Sequence, residues 1–457
     1  CKRVTSGLVF CLLLVNLLCS ADAETKESPE QVIENLDNKL NEEKPGEKQV
    51  KSKLKQLKDS LGQYSSDKEN QDKVINFIGK ISSSIDDIKS DRPMTAISGY
   101  LTIMGDIISL VPGLEGLTKL FELTTAIFGL FTETKLQRSM ENVVQDALEH
   151  HRGKELEHEA AGTKKLFEIS KVFLDGVRRD SSPLAGSEIS ALSANFPIST
   201  GVKFIGTLGN YLKELSPKTQ PQTQQAVKLI QAYCQLCSLR LMLLTDLFTT
   251  VSAAGNSPHI ANGIKGVIAI TEREFKVPLL SVIRNDDEKL FPLLAALYPK
   301  KKHPVIFKTF KILKVPDIPR YEESYQSTWY VKNAYRLWYL EGKRINTRTD
   351  GKCYLYGVTE KVPVTFTPRG NGYYKLVSDS GNIGYVSGDT GYCESYDPGS
   401  SRSNFFPIPV NVGGTKSFLL TTQNTAPLFL YMSTSGKVYV HEYVPGDKTY
   451  HWVVSYK

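Results

Sequence analysis

The sequence is poor in cysteine, carries no catalytic signature and, in its apolar stretch at 94–131, is too interrupted for an ordinary transmembrane span. Each absence excludes something. There is no P-loop, no GxGxxG before a helix, no GxSxG elbow and no zinc motif, so nothing argues for catalysis and no cofactor or metal is expected. Dense Lys/Arg clustering is missing, which speaks against nucleic acid as a partner. Lys and Arg total 56 against 49 Asp and Glu, a mild net charge of +7 that favours anionic surfaces. Seven cysteines occur in 457 residues, and Cys1, Cys11 and Cys19 fall in the first 23.

Those first residues read as a secretory leader. Lys2 and Arg3 form a basic start, Gly7 to Cys19 an apolar run, and Ala21-Asp22-Ala23 a small-x-small cleavage site. No Met precedes Cys1, so the sequence is read as starting slightly inside its precursor, with a mature chain from near Glu24. Removing the leader's net +1 from +7 leaves about +6. Cys234, Cys237, Cys353 and Cys393 remain, and an even number in an oxidising compartment suggests bridges. Cys353 with Cys393 is the preferred pair, since both lie in the same later region. Cys234 and Cys237 fall in one helical pattern, where so short a span strains a bridge. Free thiols and a redox pair both stay open there.

A chain of this length needs two or three domains, and 40% hydrophobic with 23% charged residues is a soluble globular composition. The stretch 94–131 is far more apolar than the highly charged sequence before it. Asp106, Glu115, Lys119 and Glu122 interrupt it, and Pro112-Gly113 breaks it in the middle. It reads as two apolar helices of about 16–18 residues, each some 25 Å long, joined by a tight turn. Such a hairpin is either the core of a bundle or an element that leaves it for lipid. In the second case the inserting side chains would be Ile97, Tyr100, Leu101, Ile103, Ile107, Ile108, Leu110, Leu117, Leu120, Phe121, Ile127, Phe128, Leu130 and Phe131.

Charged amphipathic helices precede it over 24–93, with seams at Ile33, Leu36 and Leu40, then Val50, Leu54, Leu57, Leu61 and Tyr64, then Val74, Ile78, Ile81, Ile85 and Ile88. Residues 94–318 complete a helical bundle. Within it, Val143, Val144, Ala147 and Leu148 give one apolar face, and Leu166, Phe167, Ile169, Val172 and Phe173 another. His150, His151 and His158 match no metal spacing and read as a solvated charged face. Residues 222–253 form a helix apolar nearly all round, with only Lys228, Arg240 and Asp246 charged between 226 and 251, and such a helix belongs at the bundle axis. Val277-Pro278 reads as an interruption in the helices that follow.

Near residue 320 the period changes to short β-type runs, and 319–457 reads as an all-β domain. The runs are 328–332, 353–358, 364–368, 372–378, 405–410, 417–422, 428–432, 437–443 and 451–456. Phe366, Phe406 and Trp452 recur about 40–46 residues apart, which suggests a pseudo-threefold β-trefoil-like domain. No QxW motif is present, so a cell-surface glycan as partner rests on architecture alone.

Three stretches carry a resemblance to a known family. They are MENVVQDALEHHRGKELEHEAAGTKKLFEISKVFL (140–174), TFKILKVPDIPRY (309–321) and the tail from Phe405 through PLFLYMSTSGKVYVHEY to Trp452. In these the sequence resembles the jellyfish toxin family, cnidarian pore-forming toxins of box-jellyfish venoms. The resemblance implies a secreted nematocyst toxin, not an enzyme. It would bind target cell membrane lipids, self-associate into an oligomeric pore and lyse cells including erythrocytes. It also implies a helical part similar to the pore-forming domain of bacterial crystal endotoxins, where a central helix is ringed by amphipathic helices and a hairpin inserts. The rival readings are a secreted, non-lytic, lectin-like binding protein and a secreted lipase-like enzyme.

Overall fold

The computed structural model describes residues 28–60, 68–110, 117–149, 154–179, 187–190, 201–255, 257–298, 300–319, 326–344, 353–369, 372–379, 381–385, 391–394, 404–412, 414–422 and 427–456. The chain is helical up to Ile312 and antiparallel β from Ser327 onward.

The charged N-terminal region supplies α1 (Pro29–Asp37), α2 (Pro45–Ser60) and α3 (Lys68–Lys89). A Ser28/Gln31 capping box and Pro29 at the first turn start α1. The seam residues Ile33, Leu36, Val50, Leu54, Leu57, Val74, Ile78, Ile81, Ile85 and Ile88 are all buried. Leu61 and Tyr64 lie outside the described residues. The apolar stretch gives α4 (Pro93–Ser109) and α5 (Thr118–Phe128). The Pro112-Gly113 turn and Glu115 also fall outside. The expectation of two equal halves fails: α4 has 17 residues but α5 only 11. Phe131 and Thr132 follow at once, and Thr132 Oγ1 accepts from Lys135 N to start α6 (Glu133–Leu148). Next come α7 (Lys154–Arg179) and α8 (Val202–Lys213).

The axis is α9 (Gln220–Ala253), 34 residues or about 51 Å. A Thr219/Gln222 capping box and Pro221 fix its start. Every residue from Ala232 to Ser252 is buried. It is long and apolar enough to cross a membrane, yet 94% of its most apolar window is enclosed by protein. Helices α4, α5, α6, α7, α8, α10 (Pro258–Val282), α11 (Phe291–Leu297) and α12 (Pro304–Ile312) all pack on it. Val277-Pro278 does not interrupt the chain as read from sequence; Pro278 sits inside α10. Its ring packs against Gly209 of α8, where a Cβ would come within 3.0 Å. The neighbouring turn is held by Tyr233 Oη donating to Phe275 O at 3.1 Å.

The β part has strands β1 (Ser327–Asn333), β2 (Tyr339–Arg344), β3 (Cys353–Val358), β4 (Pro363–Pro368), β5 (Tyr374–Ser378), β6 (Gly381–Tyr385), β7 (Gly391–Glu394), β8 (Asn404–Val412), β9 (Thr415–Thr422), β10 (Phe429–Met432), β11 (Val438–His441) and β12 (Trp452–Tyr456). The antiparallel pairs β1–β4, β4–β5, β5–β8, β8–β9, β9–β12 and β12–β1 close a six-stranded ring. The hairpins β2–β3, β6–β7 and β10–β11 stand off it, with β3 paired to β7 and Tyr356 bridged to Lys437. Phe366, Phe406 and Trp452 occupy β4, β8 and β12, every second strand of the ring, and all are buried.

One apolar core runs from the helices into the β part, and a second, smaller one lies among the strands. Tyr298 and Phe406 pack at 4.3 Å between ring centroids, and Phe291 and Tyr443 at 5.4 Å. Asn411 N donates to Asn285 O at 2.9 Å, and Gly446 N to Glu288 Oε2 at 2.5 Å. Behind these, Ser417 Oγ lies 2.9 Å from His451 Nδ1, and Tyr443 Oη 3.1 Å from its Nε2. The seam is an extension of the core rather than a wet linker.

Candidate functional site: the enclosed hairpin and what holds it

Helices α4 and α5 lie between the N-terminal arm and the axis: α4 against α3, α5 against α2, both against α9. Of the fourteen apolar residues singled out from sequence, twelve are buried; Ile108 and Leu130 are half-buried. Each fully buried side chain of this size contributes roughly 1.5–3 kcal/mol. Bare release into water is therefore prohibitive, whereas release into lipid returns most of that term. Tyr100 is the pivot. Its ring stacks on Phe128 at 5.1 Å and meets Phe131 edge-on at 5.8 Å, and its Oη donates to Ile127 O at 2.8 Å. Phe121 meets Phe248 of the axis at 5.8 Å. At Gly99 a Cβ would come within 2.7 Å of Ile88 Cγ1 and 2.9 Å of Ile88 N, so α4 touches the α3 backbone there.

The described charges of the hairpin are paired outward. Asp106 pairs with Lys80 of α3. Glu122 takes Lys53 of α2 at 2.8 Å and Lys119 at 3.0 Å. The C-terminal carbonyls of both helices, which have no partner within the helix, are met by lysines from elsewhere. Lys265 donates to Leu110 O at 3.4 Å, Lys171 to Phe128 O at 3.1 Å and Lys135 to Leu130 O at 3.4 Å. Burial pushes the Lys135 ammonium below its ordinary pKa.

Beneath the end of α5 sits a buried charge cluster. Arg178 Nη1 of α7 donates to both carboxylate oxygens of Asp246 on the axis, at 2.6 and 2.7 Å, while its Nη2 pairs with Asp175. Lys171 lies 3.0 Å from Asp175 and is itself buried; desolvation is the main force on it and brings its pKa down to about 8. Sequence reading noted Asp246 as one of few charges in an apolar helix but assigned it no partner. A lone buried carboxylate must be paired, and that rule was the available signal.

Other candidates fare differently. Leu166, Ile169 and Val172, expected on a core face, are 41%, 50% and 53% exposed and form an apolar stripe along the outside of α7. Among the apolar residues from 166 to 174, only Phe167 and Leu174 are buried, with Phe173 half-buried against the core. Cys234 and Cys237 are free buried thiols, both pushed up by burial. Cys353 and Cys393 stand directly opposite one another in β3 and β7. Opposed residues of an antiparallel pair have Cα atoms about 4.5–5.5 Å apart, inside disulfide range. Their side chains, with His150 and His151, lie outside the described residues; His158 is exposed. No cluster able to hold a metal occurs among the described residues.

An apolar helical hairpin wrapped by charged helices and fused to an all-β part defines a recognisable kind of molecule. A family profile, that of the CaTX-A toxin domain, matches residues 33–274, and the chain belongs to that family of toxins. It is 28% identical to toxin CfTX-2 of Chironex fleckeri over 432 residues, 92% of this chain and 90% of that one. It is 32% identical to toxin CfTX-1 of the same organism over 286 residues, 62% of this chain and 63% of that one. Toxin CqTX-A of Chiropsoides quadrigatus is 26% identical over 411 residues, covering 89% and 87%.

Proposed function

We propose that this toxin is a secreted venom cytolysin of nematocysts that docks on target cell membranes, self-associates and opens pores, with no enzymatic step. One observation carries the reading. The bundle encloses a hairpin of apolar side chains whose described charges and helix ends are held by lysines of neighbouring helices. Helices keep their own backbone hydrogen bonds, so α4 and α5 can leave the bundle intact and enter lipid. In the pore, Asp106, Lys119 and Glu122 would face the lumen, because a charge at mid-bilayer costs about 2.5–3.5 kcal/mol. The long buried axis ringed by helices supports a crystal-endotoxin-like pore-forming part. The closed six-strand ring with three hairpins supports a trefoil-like docking part. The exposed stripe on α7 supports self-association. Residues 1–23 would direct export, and a Cys353–Cys393 bridge would then form across β3 and β7.

The test is dye release from lipid vesicles and from erythrocytes by residues 24–457, with a polarity-sensitive label on Gly105→Cys. Gly105 is exposed with open space around it, so the label leaves packing undisturbed. Size-limited release, with label emission quenched by lipid-borne quenchers, is expected. Release without such quenching would sink the role of the hairpin. Cell binding with no release at all would favour the second reading, a non-lytic lectin-like protein, for which the cleft described next is the relevant observation.

A further inference from the structure

The β part carries a preformed cleft of about 690 Å³, within the usual small-ligand range of about 300–1,000 Å³. Its walls are the turn after β1, the β10–β11 turn and the loop before β12. The buried Asn333 ties two of these walls together. Its Oδ1 accepts from Tyr335 N at 3.1 Å and Arg336 N at 2.9 Å, while its Nδ2 donates to Thr449 O at 2.7 Å. Leu337, exposed on the same turn, holds a left-handed φ of 61°, a conformation costly for a branched side chain and common at ligand clamps.

The chemistry of the lining is specific. Tyr335 is 57% exposed, and the Arg336 guanidinium lies 5.0 Å from its ring centroid. Arg336 Nε is buried without a hydrogen-bond partner, and no carboxylate among the described residues pairs with Arg336 or with Lys448. The one acid in the lining, Asp447, is already committed. Its Oδ1 accepts from Thr449 N at 2.9 Å and Thr449 Oγ1 at 2.7 Å. Ser433 and Thr434 add hydroxyls. The cleft thus offers a cationic fork, an open tyrosine face and a hydroxyl rim, with two cations, Arg336 and Lys448, against the single carboxylate of Asp447.

We infer that this cleft binds an acidic sugar, a pyranose ring bearing a carboxylate. A guanidinium takes a carboxylate through two parallel hydrogen bonds, and the tyrosine face suits the C–H face of a sugar ring. A phosphate headgroup fits less well. The loop amide that could line an anion nest, Gly446 N, is already given to Glu288 at 2.5 Å. That same bond joins the cleft loop to the helical part at the seam. The assignment deepens the docking role proposed above and rests on it for its setting. Its test is run in solution without membranes, so a failure of lysis does not bear on it.

Titration calorimetry of residues 24–457 with 3′-sialyllactose, lactose and phosphocholine decides it. Sialyllactose is expected to bind at least tenfold more tightly than lactose, and Arg336→Gln to erase that difference while the melting temperature stays put. Tyr335→Ala should weaken both sugars. Equal affinity for the two sugars, preference for phosphocholine, no binding of any probe, or an unchanged Arg336→Gln profile would each overturn the assignment.

Discussion

The helical part holds most of the apolar core and the β part a smaller one of its own inside the ring, and the two are built by different means, which bears on which can move. In the helical part each element satisfies its own backbone hydrogen bonds, so side chains alone attach it to its neighbours. The attachments of α4 and α5 are apolar contacts and a few lysine pairs. In the β part every ring strand owes its backbone pairing to two others, so removing one exposes two edges. A helix can be unlatched singly; a ring strand cannot. The molecule pairs a separable half with an inseparable one, which suits insertion in the first and recognition in the second.

The largest expected effect breaks the separable half at its buried charges. Arg178→Met leaves Asp246 buried and unpaired and should cost about 3–5 kcal/mol, read from urea unfolding. If the variant unfolds at the wild-type midpoint, the cluster is not holding α7 to the axis. Next, Cys353→Ser should destabilise the β part by about 2–4 kcal/mol if the bridge forms, and reducing agent should cost the wild type the same. Gly357→Ala tests how tightly the β2–β3 and β10–β11 hairpins pack on each other. Its Cβ would meet Met432 Sδ at 2.7 Å and Trp338 Cβ at 2.9 Å, for a loss of about 1–3 kcal/mol without effect on the hairpin label.

Smaller effects sharpen the comparison. Burial holds His451 at the seam below its ordinary 6.5. The unfolded chain then takes up the proton first, so stability should fall as pH drops from about 6.5. Thermal melts at pH 7.5 and 5 should show the drop, and His451→Asn should shrink it; His303, lowered for the same reason, keeps its share. Lys171→Met should act in the other direction, raising stability by about 1 kcal/mol at pH 7, since Asp175 keeps Arg178. With the Lys171 pKa down at about 8, wild type recovers as pH rises from there toward the ordinary 10.5, so the gain should fade over that range.

How much was legible in sequence follows the same division. The axis was read as 222–253 and runs Gln220–Ala253, because a helix apolar on all sides leaves no other place for itself. The seams of α1 to α3 were likewise plain, since heptad-like spacing marks a buried face directly. The expected core face at 166–173 held only at Phe167 and Phe173, because periodicity reports an apolar stripe, not what covers it; Leu166, Ile169 and Val172 face outward. In the β part the runs for β1, β8 and β9 stood out, but β2, β6 and β7 did not. They read YLEGKR, GNIGY and GYCE, with glycine and charge where alternation should be, and only pairing with neighbours makes them strands. The hairpin's residues were visible; the lysines that hold it were not, because Lys80, Lys171 and Lys265 are brought to it only by tertiary packing.

The enclosure of the hairpin also bears on how such a toxin could be neutralised. An antibody raised against the folded chain meets α2, α3, the outside of α7 and the β loops, while Tyr100, Phe121 and Phe128 stay out of its reach. If the hairpin inserts as proposed, covering it is therefore a poor strategy for an antivenom. On that proposal, a binder that straddles α3 and α4, where Lys80 meets Asp106 at the protein surface, would instead hold α4 in the bundle.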